Sequence, residues 1–177
     1  MKTIGIFCSG KNSLKQEYID ISKILISSID PKKFAIAYGG GTTGIMGYVR
    51  NSFLEKGGKV ISSNLYRFQE PEIEDDYIFE KISDRQAKLI EISDIFLVLP
   101  GGIGTLFETM QVLTGNYIGE GFKEIIFFNY NGLYDLFLEQ MSVLQREGFL
   151  KYNLEQLQMK IFTNYDDILN YLNSREQ

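Results

Sequence analysis

This sequence contains no histidine and a single cysteine, which leaves few side chains able to run covalent or acid–base chemistry. Ser-His and Cys-His nucleophile pairs are excluded, as is a histidine-ligated metal. Carboxylate chemistry is what remains, and one glutamate stands out by its setting. Glu108 closes "FLVLPGGIGTLFE", residues 96–108, in which an apolar run meets a proline, three glycines, a threonine and then the acid. Glycines in such a bend let the backbone turn sharply and let a ligand come close. The free amides of a following helix start attract anions, so a carboxylate one short turn further on is the odd member.

Two other segments could share a site with it. "YGGGTTGIMG", residues 38–47, is a second glycine-rich bend that leads into a helical pattern, and "SDRQ", residues 83–86, carries Arg85. The two bends make Gly40, Gly41, Thr42 and Thr43, together with Gly101, Gly102, Gly104 and Thr105, candidates for holding a phosphorylated small molecule. A plainer reading stands beside this one. Thr105 and Glu108 are three apart at a helix start, as are Ser83 and Gln86, and that is the spacing of a capping box. Local sequence leaves both readings open. Cys8 ends the strand-like "TIGIFC" and is expected to be a small buried residue rather than a nucleophile.

The elements around these residues alternate. Short apolar runs rich in β-branched and aromatic residues predict strands at Thr3–Cys8, Phe34–Tyr38, Lys59–Ser62, Ile95–Leu99, Glu124–Phe128 and Met159–Phe162. Between them Leu14, Tyr18, Ile21 and Leu25 recur at helical spacing, as do Leu106, Met110, Leu113 and Tyr117, and Leu133, Phe137, Met141 and Leu144. Gly148 marks a helix end, and a last helix is expected over Tyr165 to Leu172. The alternation predicts an α/β, Rossmann-like, doubly wound parallel sheet with helices on both faces, formed as a single domain over residues 1–177. The polar, acidic stretch from Asn64 to Ile82 reads as a loop or lid over a site, or as a solvated crossover. In such sheets ligands bind beyond the carboxyl ends of the strands, where both glycine bends fall.

Several functions are excluded or disfavoured. Neither bend is followed by the Gly-Lys-Ser/Thr of an ATPase phosphate loop. The dinucleotide fingerprint is missing after the first strand, as is the acidic residue after the second that would hold a ribose, so a nicotinamide dehydrogenase does not fit. A net charge of −5 and a pI of about 4.9 argue against an extended nucleic-acid partner. The lone cysteine fits a reducing compartment, and no leader pattern or membrane-length apolar run is seen, so a cytoplasmic protein is expected.

Taken together, "YGGGTTGIMG", "SDRQAKL" and "LPGGIGTLFE" resemble the LONELY GUY family, long labelled "lysine decarboxylase". Its members are phosphoribohydrolases that release the base from nucleoside 5′-monophosphates, notably cytokinin nucleotides. The family's Pro-Gly-Gly-x-Gly-Thr-x-x-Glu is matched in full from Pro100 to Glu108. Its Met-x-x-Arg-Lys is matched by Arg85 alone, with Ile82 in place of the methionine and Gln86 in place of the lysine. The resemblance implies that Glu108 stabilises an oxocarbenium-like sugar, that Arg85 binds phosphate or ribose and helps keep Glu108 ionised, and that the amides of Gly101–Thr105 and Gly40–Thr43 cradle a 5′-phosphate. It implies no metal or organic cofactor, a small-molecule nucleotide as the partner, no membrane, and a homodimer or larger even oligomer. A non-catalytic nucleotide sensor of the same fold is the alternative. A true amino-acid decarboxylase would need a pyridoxal-bearing lysine, and nothing marks one out.

Overall fold

The computed structural model describes residues 1–70 and 76–175. The strands are β1 (Lys2–Phe7), β2 (Phe34–Tyr38), β3 (Val60–Leu65), β4 (Tyr77–Phe79), β5 (Ile95–Val98), β6 (Glu124–Phe128) and β7 (Met159–Phe162). The helices are α1 (Gln16–Ser28), α2 (Gly44–Glu55), α3 (Ile82–Ile92), α4 (Ile103–Ile118), α5 (Asp135–Arg146) and α6 (Tyr165–Asn173). All strand pairs are parallel, and their spatial order is β4-β3-β2-β1-β5-β6-β7. The sheet therefore winds outward from β1 in one direction, then returns through α3 to start again at β5. The expected doubly wound α/β architecture is the one observed.

The central strands are buried on both faces, which explains their unbroken apolar runs. Alternate residues feed two cores. Ile4, Ile6, Ile36, Leu97, Ile126 and Phe128 face α1, α2 and α6, where Leu25, Val49, Phe53 and Ile168 meet them. Phe7, Phe96, Val98, Ile125 and Phe127 face the other way, toward Leu89 of α3, Val112 and Leu113 of α4 and Met141 of α5. Burial of these side chains, each contributing about 1.5–3 kcal/mol, holds the helices to the sheet.

Two elements differ from expectation. β3 runs on to Leu65, because Ser62, Ser63 and Asn64 are polar residues buried in a strand. The stretch expected as a loop from Asn64 to Ile82 thus begins as strand, continues as a 3₁₀ turn at Tyr66–Phe68 and includes the edge strand β4. A three-residue strand inside an acidic run gives too little periodicity to read. Residues 71–75 of "QEPEIEDD" lie outside the described residues. Among the described residues no helix is long and apolar enough to cross a membrane.

Gly5 shows how tightly β1 and β5 are fitted. It pairs with Phe96 in register, and a Cβ there would stand 2.5 Å from the Phe96 ring and 2.6 Å from Ser93 Oγ. The same ring stacks on Phe7 at 4.9 Å between centroids. Gly5→Ala is expected to destabilise the protein by about 1–3 kcal/mol through overpacking, read as a lower urea midpoint with an unchanged slope.

Candidate functional site

Reversal of strand order between β1 and β5 leaves a crevice at their carboxyl ends, where the loops that follow them diverge to opposite faces. A cavity of about 1190 Å³ occupies this place. Its walls are the loop after β1 (Cys8–Lys15), the loop after β2 (Gly39 to Thr43), the end of β3 at Leu65, and the loop after β5 (Pro100–Thr105). Ile82, Phe107 and Leu133 add apolar surface from α3, α4 and the approach to α5.

Glu108 and Arg85 meet in this cavity. Arg85 Nη1 donates to Glu108 Oε1 at 2.8 Å, and both side chains are more than nine-tenths buried. Arg85 Nε donates to the Ser63 carbonyl at 2.9 Å, so the guanidinium is pinned between β3 and α4. Space for it comes from Gly39, where a Cβ would lie 2.1 Å from Arg85 Nη2. Glu108 Oε2 accepts no hydrogen bond among the described residues. A buried carboxylate is thus held by one oxygen and offers the other to whatever enters.

Neither capping box forms. Gly102 is the N-cap of α4 and Thr105 lies inside the first turn; Lys81 is the N-cap of α3, and Ser83 Oγ turns to Asp84. Burial pushes the Glu108 carboxyl above the usual glutamate range, although the charge and hydrogen bond of Arg85 pull it down. Arg85 does favour the ionised form of Glu108, as expected, but desolvation outweighs it. Cys8 is 1% exposed, and burial, then the charge of Glu108, raises its thiol well above the ordinary value. It is the inert residue expected.

The two glycine bends are not equivalent. At α4 the first intrahelical bond is Leu106 N–H to the Gly102 carbonyl, so the amides from Gly102 to Thr105 precede it, and all four of these residues line the cavity. The Gly101 amide is different, since it donates to Tyr134 Oη at 2.7 Å. Tyr134 in turn donates to the Leu99 carbonyl at 2.8 Å and so clamps the bend. At α2 the helix start is already filled by the chain itself. Gly44 N–H donates to Asn12 Oδ1, and the Ile45 and Met46 amides both donate to the Ser9 carbonyl. The α2 dipole end is closed to an incoming anion, contrary to the sequence expectation. Gly41, Thr42 and Thr43 still line the cavity; Thr42 hydroxyl donates to Glu70 and Thr43 hydroxyl to the Gly10 carbonyl. Gly40 does not line it. This glycine has φ +82 and stands against Asn64, where a Cβ would come within 2.6 Å, so its role is to shape the turn. Gln86 also lies outside the cavity, 1% exposed, with its Nε2 donating to the Glu108 carbonyl at 3.4 Å. Among the described residues no group of three or more Cys, Asp or Glu side chains is placed to hold a metal ion.

A family model described as "Possible lysine decarboxylase" matches residues 46–172. A "Probable cytokinin riboside 5′-monophosphate phosphoribohydrolase" of Arabidopsis thaliana is 33% identical over 154 residues, which cover 84% of this chain and 77% of that one. The chain belongs to the LONELY GUY family. A cytokinin riboside 5′-monophosphate phosphoribohydrolase of Rhodococcoides fascians is 28% identical, with 84% of this chain and 78% of that one covered. Among solved structures, the molybdenum cofactor binding protein of Rippkaea orientalis aligns with a TM-score of 0.70 at 16% identity, covering 99% and 98% of the two chains. That last likeness shows the fold. The LONELY GUY glycine–glutamate signature is the α4 start and its buried acid. The arginine signature is the partner that holds the acid.

Sequence reasoning missed Gly39, Ser63 and Tyr134. Gly39 could have been noticed as the first of three glycines, whereas a backbone carbonyl on a polar strand and a tyrosine 33 residues from its partner leave no local signal. Because burial raises the folded Glu108 value, this group's contribution to stability is present below the ordinary carboxylate range and is lost as pH rises through the folded value. Arg85→Met removes the opposing cause and raises that value further. The variant should be less stable than the parent by about 3 kcal/mol or more at pH 7, with the gap narrowing toward pH 4 in urea titrations at both values.

Proposed function

We propose that this protein is a phosphoribohydrolase that cleaves the N-glycosidic bond of a nucleoside 5′-monophosphate, AMP or a cytokinin-type nucleotide, to free base and ribose 5-phosphate. The observation that carries the reading is the buried Glu108 carboxylate, fixed through Oε1 by Arg85 and untied at Oε2, in a cavity at the β1/β5 crevice. As the C1′–N bond breaks, its electron pair leaves with the base and positive charge builds on the ribose. A carboxylate in a low-dielectric site stabilises that charge far better than it would in water. Water then adds to C1′ and loses a proton, and a proton taken from solvent completes the departing base. Arg85, held by Ser63 and resting on Gly39, keeps Glu108 in one orientation. The phosphate is held at the α4 start, and binding energy spent there positions the sugar for a step at its other end. Family membership and the names of the relatives support the reaction class.

Glu108→Gln keeps the shape and an acceptor for Arg85 while removing the charge. It should still bind AMP and lose about a hundredfold or more in base release. Arg85→Ala should impair binding and rate together, and adenosine should be a far poorer substrate than AMP. The rate should fall at acid pH with an apparent pKa above the ordinary glutamate value, since Glu108 must be ionised and burial opposes that. Base measured by chromatography decides these outcomes. Intact turnover in Glu108→Gln overturns the assignment, and tight AMP binding by the parent without base release would favour a sensor.

A homodimer or larger even oligomer belongs to the same proposal. Phe107, Met110 and Ile118 of α4 are 38%, 36% and 57% exposed along a groove of about 510 Å³ between α3 and α4. Gln86 Oε1 and Gln111 Oε1, of residues that line it, are buried without a donor among the described residues. A second copy would cover the apolar side chains. Light scattering at micromolar concentration should give at least twice the chain mass, and Met110→Glu should reduce it to one chain.

A further inference from the structure

The cavity holds more positive charge than the Arg85–Glu108 pair accounts for. Its charged lining residues are Lys11, Lys15, Glu70, Arg85 and Glu108. Arg85 is committed to Glu108 and the Ser63 carbonyl, and Glu70 accepts from Thr42. Lys11 and Lys15 make no side-chain hydrogen bond or ion pair among the described residues. Two unpaired ammonium groups at one cavity in a chain of net charge −5 need a reason.

Their loop supplies one. The chain between Cys8 and Lys15 is fastened on both sides. Ser9 N–H donates to the Pro100 carbonyl, the Ser9 carbonyl accepts from Ile45 and Met46, and Lys11 N–H donates to Ser9 Oγ. Thr43 Oγ1 donates to the Gly10 carbonyl at 2.6 Å, and Asn12 accepts from Gly44 at 2.8 Å. Lys11 thus stands on a platform pinned to the α4 bend at Pro100, and Lys15 follows it at the N-cap of α1. The same bonds close the start of α2 to anions, whereas the amides from Gly102 to Thr105 at the start of α4 make no hydrogen bond among the described residues. Glu108, buried and with one oxygen untied, independently marks the cavity as a ligand site. A dianionic phosphate at the α4 amides, close to a buried carboxylate, calls for nearby cations. Gln86 supplies none and faces elsewhere.

We propose that Lys11 and Lys15 are phosphate-recognition residues, the cationic half of a subsite whose other half is the α4 helix start. The proposal rests on the nucleotide reading above and concerns how the ligand is held, not whether it is cleaved. Lysine suits the role because its charge is compact and its stem flexible, so it can reach a phosphate from an exposed loop.

The test is calorimetric titration of the full chain with AMP, ribose 5-phosphate and adenosine. The proteins compared are the parent, Lys11→Met, Lys15→Met and the double variant, with Lys11→Arg/Lys15→Arg as the rescue. Methionine keeps the stem and removes the charge. Each single variant should weaken AMP and ribose 5-phosphate by about three- to tenfold, and the double variant by about tenfold to a hundredfold, the range of charge-assisted contacts. Adenosine binding should not change, the arginine pair should recover most of the loss, and AMP affinity should fall with added salt less steeply in the double variant than in the parent. Equal weakening of AMP and adenosine, or of neither, overturns the proposal. So does a parent that binds adenosine as well as AMP. Base release is measured separately: with selective loss of phosphate ligands and no base released by any protein, the lysine subsite stands and the hydrolase reading falls.

Discussion

A single ion pair organises this molecule's working end. Arg85 and Glu108 come from helices separated by a strand, and each would be costly to bury alone. Together they define where α3 and α4 must stand against the sheet, because their 2.8 Å contact leaves little freedom. The pair also dictates choices elsewhere. β3 must present a bare carbonyl at Ser63, β2 must be followed by a residue with no side chain at Gly39, and α4 must begin with a bend that leaves Glu108 pointing inward. Several polar and glycine residues that look unhelpful to a sheet protein are explained by that requirement.

The remaining polar groups around the cavity divide into those that hold the chain and those left open. Backbone amides are obligatory donors, so each must be accounted for. At α2 the account closes within the protein, through Ser9 and Asn12. At the α4 bend it closes for Gly101, through Tyr134, and stays open for the residues after it. Two segments with similar composition thus differ in use: one ties the loops after β1 and β2 together, while the other leaves the amides after Gly101 without a partner among the described residues.

The sequence revealed much of this and concealed some of it, for physical reasons. Strands buried on both faces are nearly continuous apolar runs, so β2 and β6 were readable to the residue, while the edge strand β7 was readable from its short apolar run between polar residues. Cys8 was readable as a buried residue because it ends an apolar strand, and Glu108 stood out because a missing histidine narrows the available chemistry. β4 was hidden, since three residues on a sheet edge carry no period, and the end of β3 was hidden by serines that earn their burial only through contacts with Asp76 and Arg85. The capping-box spacing at Thr105 and Glu108 was a true pattern without the bond that usually goes with it. Which amides stay free cannot be read locally, because Asn12 and Tyr134 reach their partners across 32 and 33 residues.

Strand order also governs when the site comes into being. β1 and β5 form the crevice, yet their paired residues Ile4 and Ile95 are far apart along the chain. Closing so long a loop carries an entropic cost that neighbouring strands do not face, and non-local pairing of this kind slows folding. The β1–β2–β3 half can collapse early on local crossovers, but it has no crevice until β5 zips onto the free edge of β1. During synthesis that edge, whose Ile4 to Phe7 stretch is buried in the finished protein, stays uncovered until the chain has reached its second half. The feature that makes a pocket in the folded state is, in the growing chain, the surface most in need of protection from other strands.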